Sequence, residues 1–422
     1  MSRFIQIHTL TSYPASLLNR DDVGFAKRIP FGGETRTRIS SQCLKRHWRT
    51  FEGAHSLGAL APMSVRSRLT FEQLIHRPLV SKGVDPALAR AVTEALVSTV
   101  LGKSEKSKSK DEAEVKKAKP KAKKGAEAGA DEGAPAEAAP AEKGGVQTAQ
   151  VTVLGPREME YFLGHAQAVC EAKPDPAKAG DAVVARLKDA KKNLDAIKLS
   201  AGLDAALFGR MVTSDILSRG DAALHVAHAL TVHKESSETD YFSAVDDLLR
   251  AGDDAQMGSG HIGTTELTSG LFYGYVVVDV PLLVSNLEGC DRAGAASADR
   301  TLAAKVVEEL VHLVATVSPG AKLGSTAPHA YAQCVLVEHG DAQPRTLANA
   351  FLRPVTERPD LLGNTYRALS GHLRATDEMY ERSTQRAYAA IDPDGLIDAS
   401  VAGDRQALGG VARWAAAAVQ GQ

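Results

Sequence analysis

The stretch Leu271-Phe272-Tyr273-Gly274-Tyr275-Val276-Val277-Val278-Asp279-Val280 is dense in β-branched and aromatic residues, so it predicts a strand, and a strand needs neighbours. The sequence offers three elements to go with it. Ser297 is expected to cap a helix whose apolar stripe, Leu302, Val306, Leu310, Leu313 and Val314, extends to about Val317. Ala330 to Glu338, containing Cys334-Val335-Leu336-Val337, predicts a second strand. Arg3 to Leu10 alternates as a third, with Ile5 and Ile7 on one face and Phe4, Gln6 and His8 on the other. His8 is expected to be an exposed sheet residue, and Pro14 to end this strand. A strand, a basic loop and a helix near the N-terminus, then strand, helix and strand after residue 270, fit a split α+β sheet of the ferredoxin or RRM type.

Most of the intervening chain reads as helix. Thr50 to Leu101 is helical in character, with Pro86 opening a patterned stretch, Ala87 to Leu101. At Gly102 the pattern breaks into Lys103-Ser104-Glu105-Lys106, and the chain stays Lys-rich, then Ala/Glu/Gly/Pro-rich, until about Gly145. Such a composition buries too little apolar surface to offset chain entropy, so disorder is expected. The tract is basic first and acidic second, which favours self-neutralising compaction over a nucleic-acid arm. Order is expected to resume at Val151-Thr152-Val153-Leu154, followed by a helix after Gly155-Pro156. The tract is therefore an insert within a helical subdomain. Asp181 to Ile197 predicts a helix with a solvated Lys-rich face, and Leu203 to Met211 follows it. The polar chain from Thr231 to Gly270 carries Tyr241, Phe242 and Ile262, so it reads as a functional protrusion. From Asn349 onward the chain reads as mainly helical, with Trp414 docking a final Ala-rich helix.

With 422 residues, 44% of them apolar, the chain can build a sizeable core, and a net charge of -1 excludes a simple polycation. Any contact with nucleic acid must come from local clustering. Cys43, Cys170, Cys290 and Cys334 are far apart in sequence and show no zinc-ligand spacing, so reduced thiols and no metal centre are expected. The N-terminus lacks the pattern of a signal peptide and no apolar run reaches the length of a membrane span, so a cytoplasmic protein with no membrane partner is expected.

Such a cluster lies between Phe31 and Arg49. Gly32-Gly33 gives way to alternating Arg and Thr, then to Ser40-Ser41, then to Leu44, Trp48 and Phe51 at helical spacing. Ser40 or Ser41 is expected to cap the helix, so hydroxyls and free backbone N–H groups form an anion site. Arg36, Arg38, Lys45, Arg46 and Arg49 crowd this terminus and only Glu34 opposes them, while Arg20 and Lys27 feed the same neighbourhood. Charge alone would suit a solvated basic face. The hydroxyls and the glycine pair favour binding to repeated anionic groups such as a phosphodiester chain.

The sequence contains no GxxxxGK[ST], GxGxxG after a strand, HExxH, GxSxG or paired-Cys motif. An enzyme is not expected, and neither a cofactor nor a catalytic residue is assigned. Asp21-Asp22 could be half of a nuclease metal site, but no partner follows at a supporting spacing. His233 and His261 have no evident nucleophile beside them and are expected to be structural.

Leu18-Asn19-Arg20-Asp21-Asp22, Phe31-Gly32-Gly33, Arg38-Ile39-Ser40-Ser41-Gln42 and Leu44-Lys45-Arg46 together resemble the N-terminus of the CasC (Cse4) family. That family is the repeated backbone subunit of the type I-E CRISPR surveillance complex, Cascade. The resemblance continues in Ala206-Leu207-Phe208-Gly209-Arg210-Met211-Val212, in Asp240-Tyr241-Phe242-Ser243-Ala244-Val245-Asp246-Asp247 and in Gly260-His261-Ile262-Gly263-Thr264. The Lys/Ala/Glu-rich insert departs from it.

The resemblance implies an RRM-like palm begun by residues 1–50, a helical fingers subdomain at 51–220 containing the insert at 102–145, a thumb at 221–270, and the rest of the palm at 271–422. It implies a protein that polymerises along CRISPR RNA through sequence-independent phosphate contacts and presents the guide for pairing with invading DNA. Its partners would be the CRISPR RNA, the target strand through the guide, other copies of itself, and subunits of the CasA, CasB, CasD and CasE types. Arg20, Lys27, Arg38, Ser40, Gln42, Lys45 and Arg49 would contact the guide backbone, and Met211, Tyr241, Phe242 and Ile262 would wedge beside a displaced nucleotide. The alternative is a metal-dependent ribonuclease of CRISPR type using a loop aspartate. A stand-alone RNA chaperone is weaker, because no strand carries an RNP-type aromatic run.

Overall fold

A computed structural model describes residues 1–102, 145–195, 197–212, 214, 216–217, 219–245 and 259–421. Residues 103–144, within the low-complexity insert, and residues 246–258, within the segment expected as the thumb, lie outside the described residues. The chain divides into two units: residues 1–55, 226–278 and 307–422 form one, and residues 56–225 and 279–306 the other. Residues 279–306, expected in the palm, thus fall in the second unit.

The first unit is built on a mostly antiparallel sheet. Eight of its strands follow one another in the order Asp404–Arg405, Gln385–Ala390, Ala332–Gly340, Phe4–Ser16, Ser259–Asp279, Ala229–Thr231, Glu34–Ile39 and Arg28–Phe31. The first two run parallel. Ala332–Gly340 is antiparallel to its neighbours on both sides, and so are the successive pairs from Ser259–Asp279 to Arg28–Phe31. The architecture is α+β, as the sequence predicts. The N-terminal strand lies in the middle of the sheet and is buried on both faces, with Ile5 and Ile7 on one and Phe4, His8 and Leu10 on the other.

Alternation also sorts the long strand. Leu271 and Tyr273 join Leu10, Leu336, Phe351, Tyr366, Leu369 and Leu373 in one core, to which the helix Leu361–Tyr380 contributes. Phe272, Gly274 and Val276 face the opposite way, towards Leu44, Trp48 and Val314. Helices therefore cover both faces. That corrects the expectation for His8, which is 2% exposed and is held by Tyr273 and Glu338.

Three boundaries differ from expectation. Pro14 does not end the first strand, which runs to Ser16. Pairing with Ala332–Gly340 stops at Thr11, so on that edge the missing N–H breaks no ladder bond. Ser297 does not cap the helix Thr301–Thr316. It closes a short turn at Gly294–Ala296, and Asp299 accepts the N–H of Thr301 at 2.9 Å. The C-terminal region contains the strand Gln385–Ala390, whose composition carries no β signal and which forms by pairing with Ala332–Gly340. Trp414 does dock as expected, its ring centroid 4.6 Å from that of His339.

The second unit is mainly helical. Pro86–Leu101, capped by Asp85 through the N–H groups of Ala87 and Leu88, and Pro156–Glu171 contribute Val92, Leu96, Val97, Phe162 and Val169 to a core shared with Phe71 and Ile75. The helix expected over 181–197 is divided into Ala179–Arg186 and Ala190–Asp195. Two buried carboxylates anchor the loops. Glu158 pairs with Arg210 at 2.7 Å, and Asp204 accepts the backbone N–H and the hydroxyl of Ser64, both at 2.7 Å. Among the described residues, no helix is long and apolar enough to cross a membrane.

Candidate nucleic-acid interface

The basic stretch folds as a hairpin followed by a helix. Gly32 and Gly33 both take positive φ, 64° and 84°, as a two-residue turn between Arg28–Phe31 and Glu34–Ile39 requires. A Cβ on Gly32 would lie 1.6 Å from the carbonyl oxygen of Leu352, so the close approach admits only glycine there. Ser40 then caps the helix Ser41–Thr50, its hydroxyl accepting the N–H of Cys43 at 3.3 Å. Leu44 and Trp48 are buried, and the first turn holds no acidic side chain, leaving the positive end of the helix dipole uncompensated there.

Asn19 orders this terminus. Its side-chain oxygen accepts the N–H of Ser40 at 2.9 Å, and its carbonyl accepts the N–H of Lys27 at 2.9 Å. The carbonyl of Lys27 in turn accepts the N–H of Arg38 at 2.8 Å. Lys27, Arg38 and the cap are thereby held side by side by backbone. Arg20 bridges to Ala26 in the same loop. The Arg38 guanidinium lies 2.9 Å from Nδ1 of His228, a residue that no motif in the sequence brings into the site. Burial, followed by the charges of Arg38 and Lys27, pushes the His228 pKa below its ordinary value, so the imidazole is an uncharged neighbour to these cations at neutral pH. On the helix, Gln42 and Arg46 are exposed and Lys45 and Arg49 half-buried.

Arg36 does not belong to this group. Its side chain is fully buried, and its nitrogens donate to the carbonyls of Phe31 (3.3 Å), Thr231 (3.0 Å) and Phe351 (2.9 Å). Strand alternation turns it to the side opposite Thr35. Nor is Glu34 the only opposing acid, because Arg28 is paired with both Glu235 and Glu266, and Glu34 itself pairs with Lys234 at 3.2 Å. With Arg36 withdrawn into the core, the basic group keeps Arg20, Lys27, Arg38, Lys45, Arg46 and Arg49, each at least partly exposed. Asp21 is a loop-closing residue, its Oδ1 accepting the N–H groups of Val23 (3.0 Å) and Phe25 (2.9 Å). No group of three or more potential metal ligands occurs among the described residues.

Tyr241 and Phe242 lie on the strand Ser237–Val245, which pairs with the long strand as a hairpin off the main sheet. Phe242 stands opposite Gly263 and its ring closes over it, since a Cβ on Gly263 would meet that ring at 2.5 Å. Tyr241 is 62% and Phe242 42% exposed. Ile262 pairs with Ser243. Met211, 90% exposed, belongs to the other unit, just after Arg210, whose N–H and carbonyl bond Gly220.

The first unit is thus an α+β sheet extended by a long hairpin, and the second unit is mainly helical. A chain from a structure described as "CRISPR RNA-guided surveillance complex, pre-nicking" is similar with a TM-score of 0.73 at 24% identity, over 99% of this chain and 100% of that one. Another, from a "CRISPR RNA-guided surveillance complex", is similar with a TM-score of 0.65 at 22% identity, over 98% and 99% of the two chains. These likenesses establish the shared fold. The chain belongs to the Cas_CT1975 family, described as CT1975-like protein, which matches residues 5–412. No curated protein matches it.

Proposed function

We propose that this protein is a CRISPR RNA-binding backbone subunit of a Cascade-type surveillance complex and lies along the guide in several copies. The observation that carries this reading is the backbone-clamped group of Lys27, Arg38 and the Ser40 cap, in a chain of this family. Cations, a hydroxyl and a helix N-terminus hold phosphates without reading bases, which suits a guide whose sequence changes with each invader. Arg20, Gln42, Lys45 and Arg49 extend the same surface. Tyr241 and Phe242, exposed on opposite faces of the hairpin, supply aromatic rings to cover an unstacked base on either side. Assignment to the type I-E CasC subunit, and the partners that it implies, rest on the sequence motifs. A non-catalytic role is supported by Asp21, whose carboxylate is engaged by two backbone N–H groups.

The test is to purify the protein with its co-expressed neighbours and sequence the bound nucleic acid. The expected yield is RNA made of repeat and spacer, with spacers of unrelated sequence. A complex that forms without RNA, or bound RNA whose spacer portions share one sequence motif, would overturn the reading.

A further inference from the structure

Where the hairpin leaves the sheet, its two strands are unequal in length. The last sheet pair is Thr231 with Phe272 and the first hairpin pair is Ser237 with Thr268, so five residues (232–236) face three (269–271). The side chain of His233, 2% exposed, fills this irregularity. Its Nε2 accepts the N–H of Leu271 at 3.1 Å, and its Nδ1 lies 2.6 Å from the carbonyl of Lys234, so the proton must sit on Nδ1. Gly270 makes room for the ring, because a Cβ there would meet His233 Nε2 at 3.1 Å and Thr231 Cγ2 at 2.7 Å.

The same spot is tied to the cationic edge. Thr231 donates its hydroxyl to the His233 carbonyl at 3.0 Å and accepts the N–H of Thr37 at 3.2 Å. Arg36 holds the Thr231 carbonyl, and Glu235 N–H reaches the carbonyl of Thr35 at 2.9 Å.

We infer that His233 is the positioning residue that sets the hairpin on the sheet, and that it does so only as a neutral imidazole. Protonation would place an N–H on Nε2 directly against the N–H of Leu271 and open the joint. The charged groups around the ring come from three elements. Arg36, on the strand Glu34–Ile39, opposes a second positive charge, and Glu357, 3.3 Å from Nδ1 and half exposed, favours one. Lys234, next in the chain, is paired with Glu34, and the facing strand offers only Ser269, Gly270 and Leu271. Burial is the largest influence and holds the pKa of His233 below its ordinary 6.5. The joint is a property of the protein without RNA, and only its bearing on the guide rests on the function proposed above.

The test is hydrogen exchange, read by mass spectrometry on the full RNA-free chain between about pH 5 and about pH 8 and corrected for intrinsic rates. In the native protein the Leu271 amide should lose protection by about tenfold towards the acid end while far-UV circular dichroism stays constant. His233→Gln keeps an acceptor without a titrating group and should flatten the profile. Protection of Leu271 that is unchanged across this range in the native protein would overturn the inference, as would a His233→Gln variant with the native profile. If His233→Gln does not fold, the native profile alone decides.

Discussion

Nε2 of His8 lies 3.2 Å from Oε2 of Glu338, and both side chains are sealed from solvent. A chain of donors leads into the pair. Leu347 N–H donates to the Tyr273 hydroxyl (2.8 Å), that hydroxyl to His8 Nδ1 (2.9 Å), and His8 Nε2–H to Glu338. Arg345 at 2.7 Å and Arg386 supply the positive charge, so His8 serves as a neutral donor, its pKa lowered by burial against the pull of the carboxylate. Glu338 is held well below the usual carboxylate range despite its burial, by the bonds from His8 and Arg345 and the charge of Arg386.

Glu338→Gln should therefore be strongly destabilising although it is nearly isosteric. It removes the anion between Arg345 and Arg386, leaving Arg386 with Asp377 and the carbonyl of Val401 as partners. Breaking a buried pair in this way costs about 3 to 5 kcal/mol, measurable by urea unfolding. A loss below about 1 kcal/mol would show that the network contributes little.

Acid should weaken the fold in two stages. His8 and His233 have folded pKa values below 6.5, so the folded state binds fewer protons than the unfolded chain, and stability falls as pH drops from about 6.5. Glu338 has a folded pKa well below 4.5, so its contribution is complete above about 4.5 and disappears as pH falls towards the folded value. A melting temperature that is flat between about pH 7 and about pH 4 would contradict the first stage.

Arg36 and the pair Lys45 and Arg49 should separate by what they damage. Arg36→Ala leaves three carbonyls without their donor and should lower stability by roughly 2 to 4 kcal/mol, with RNA affinity affected only through folding. Lys45→Ala with Arg49→Ala should leave stability within about 1 kcal/mol. It should weaken RNA binding equally for unrelated spacers and lower the salt slope by about 0.7 for each phosphate that is no longer neutralised. Unequal weakening between two spacers would count against a backbone-only role for this pair.

Gly263→Ala is the least invasive probe of the hairpin. The added methyl would stand 2.5 Å from the Phe242 ring and must turn it away. Single-site RNA affinity should stay within about tenfold, equivalent to 1.4 kcal/mol, while the periodic pattern of reactive nucleotides on an assembled guide should blur. The double replacement Phe242→Ala with Ile262→Ala should act in the same way. A periodic pattern unchanged in both would remove Phe242 from the wedge.

Elements announced by local pattern were legible in the sequence. The strand around Val276, the helix from Pro86 and the Ser40 cap follow from β-branching, helical spacing and a hydroxyl ahead of an apolar stripe. The sheet class followed from their order. What the sequence could not show was which residues meet across long separations. Arg36 reads as one more surface cation until Thr231 and Phe351 come to it, and His8 reads as exposed until helices cover both faces. His228 stands beside Arg38 because two strands pair, and no local pattern marks that pairing.

The central position of the N-terminal strand dictates the order in which the chain can be completed. Through His8 this strand bonds Tyr273 and Glu338, 265 and 330 residues further along. During synthesis the earliest part of the sheet must wait for the last third of the chain, while the core spanning residues 71–217 can already close. Until Ser259–Asp279 emerges this strand has both edges open, and until Ala332–Gly340 emerges it keeps one open, the state in which strands join those of other chains. The slow step in making this protein is thus the return of its end to its beginning.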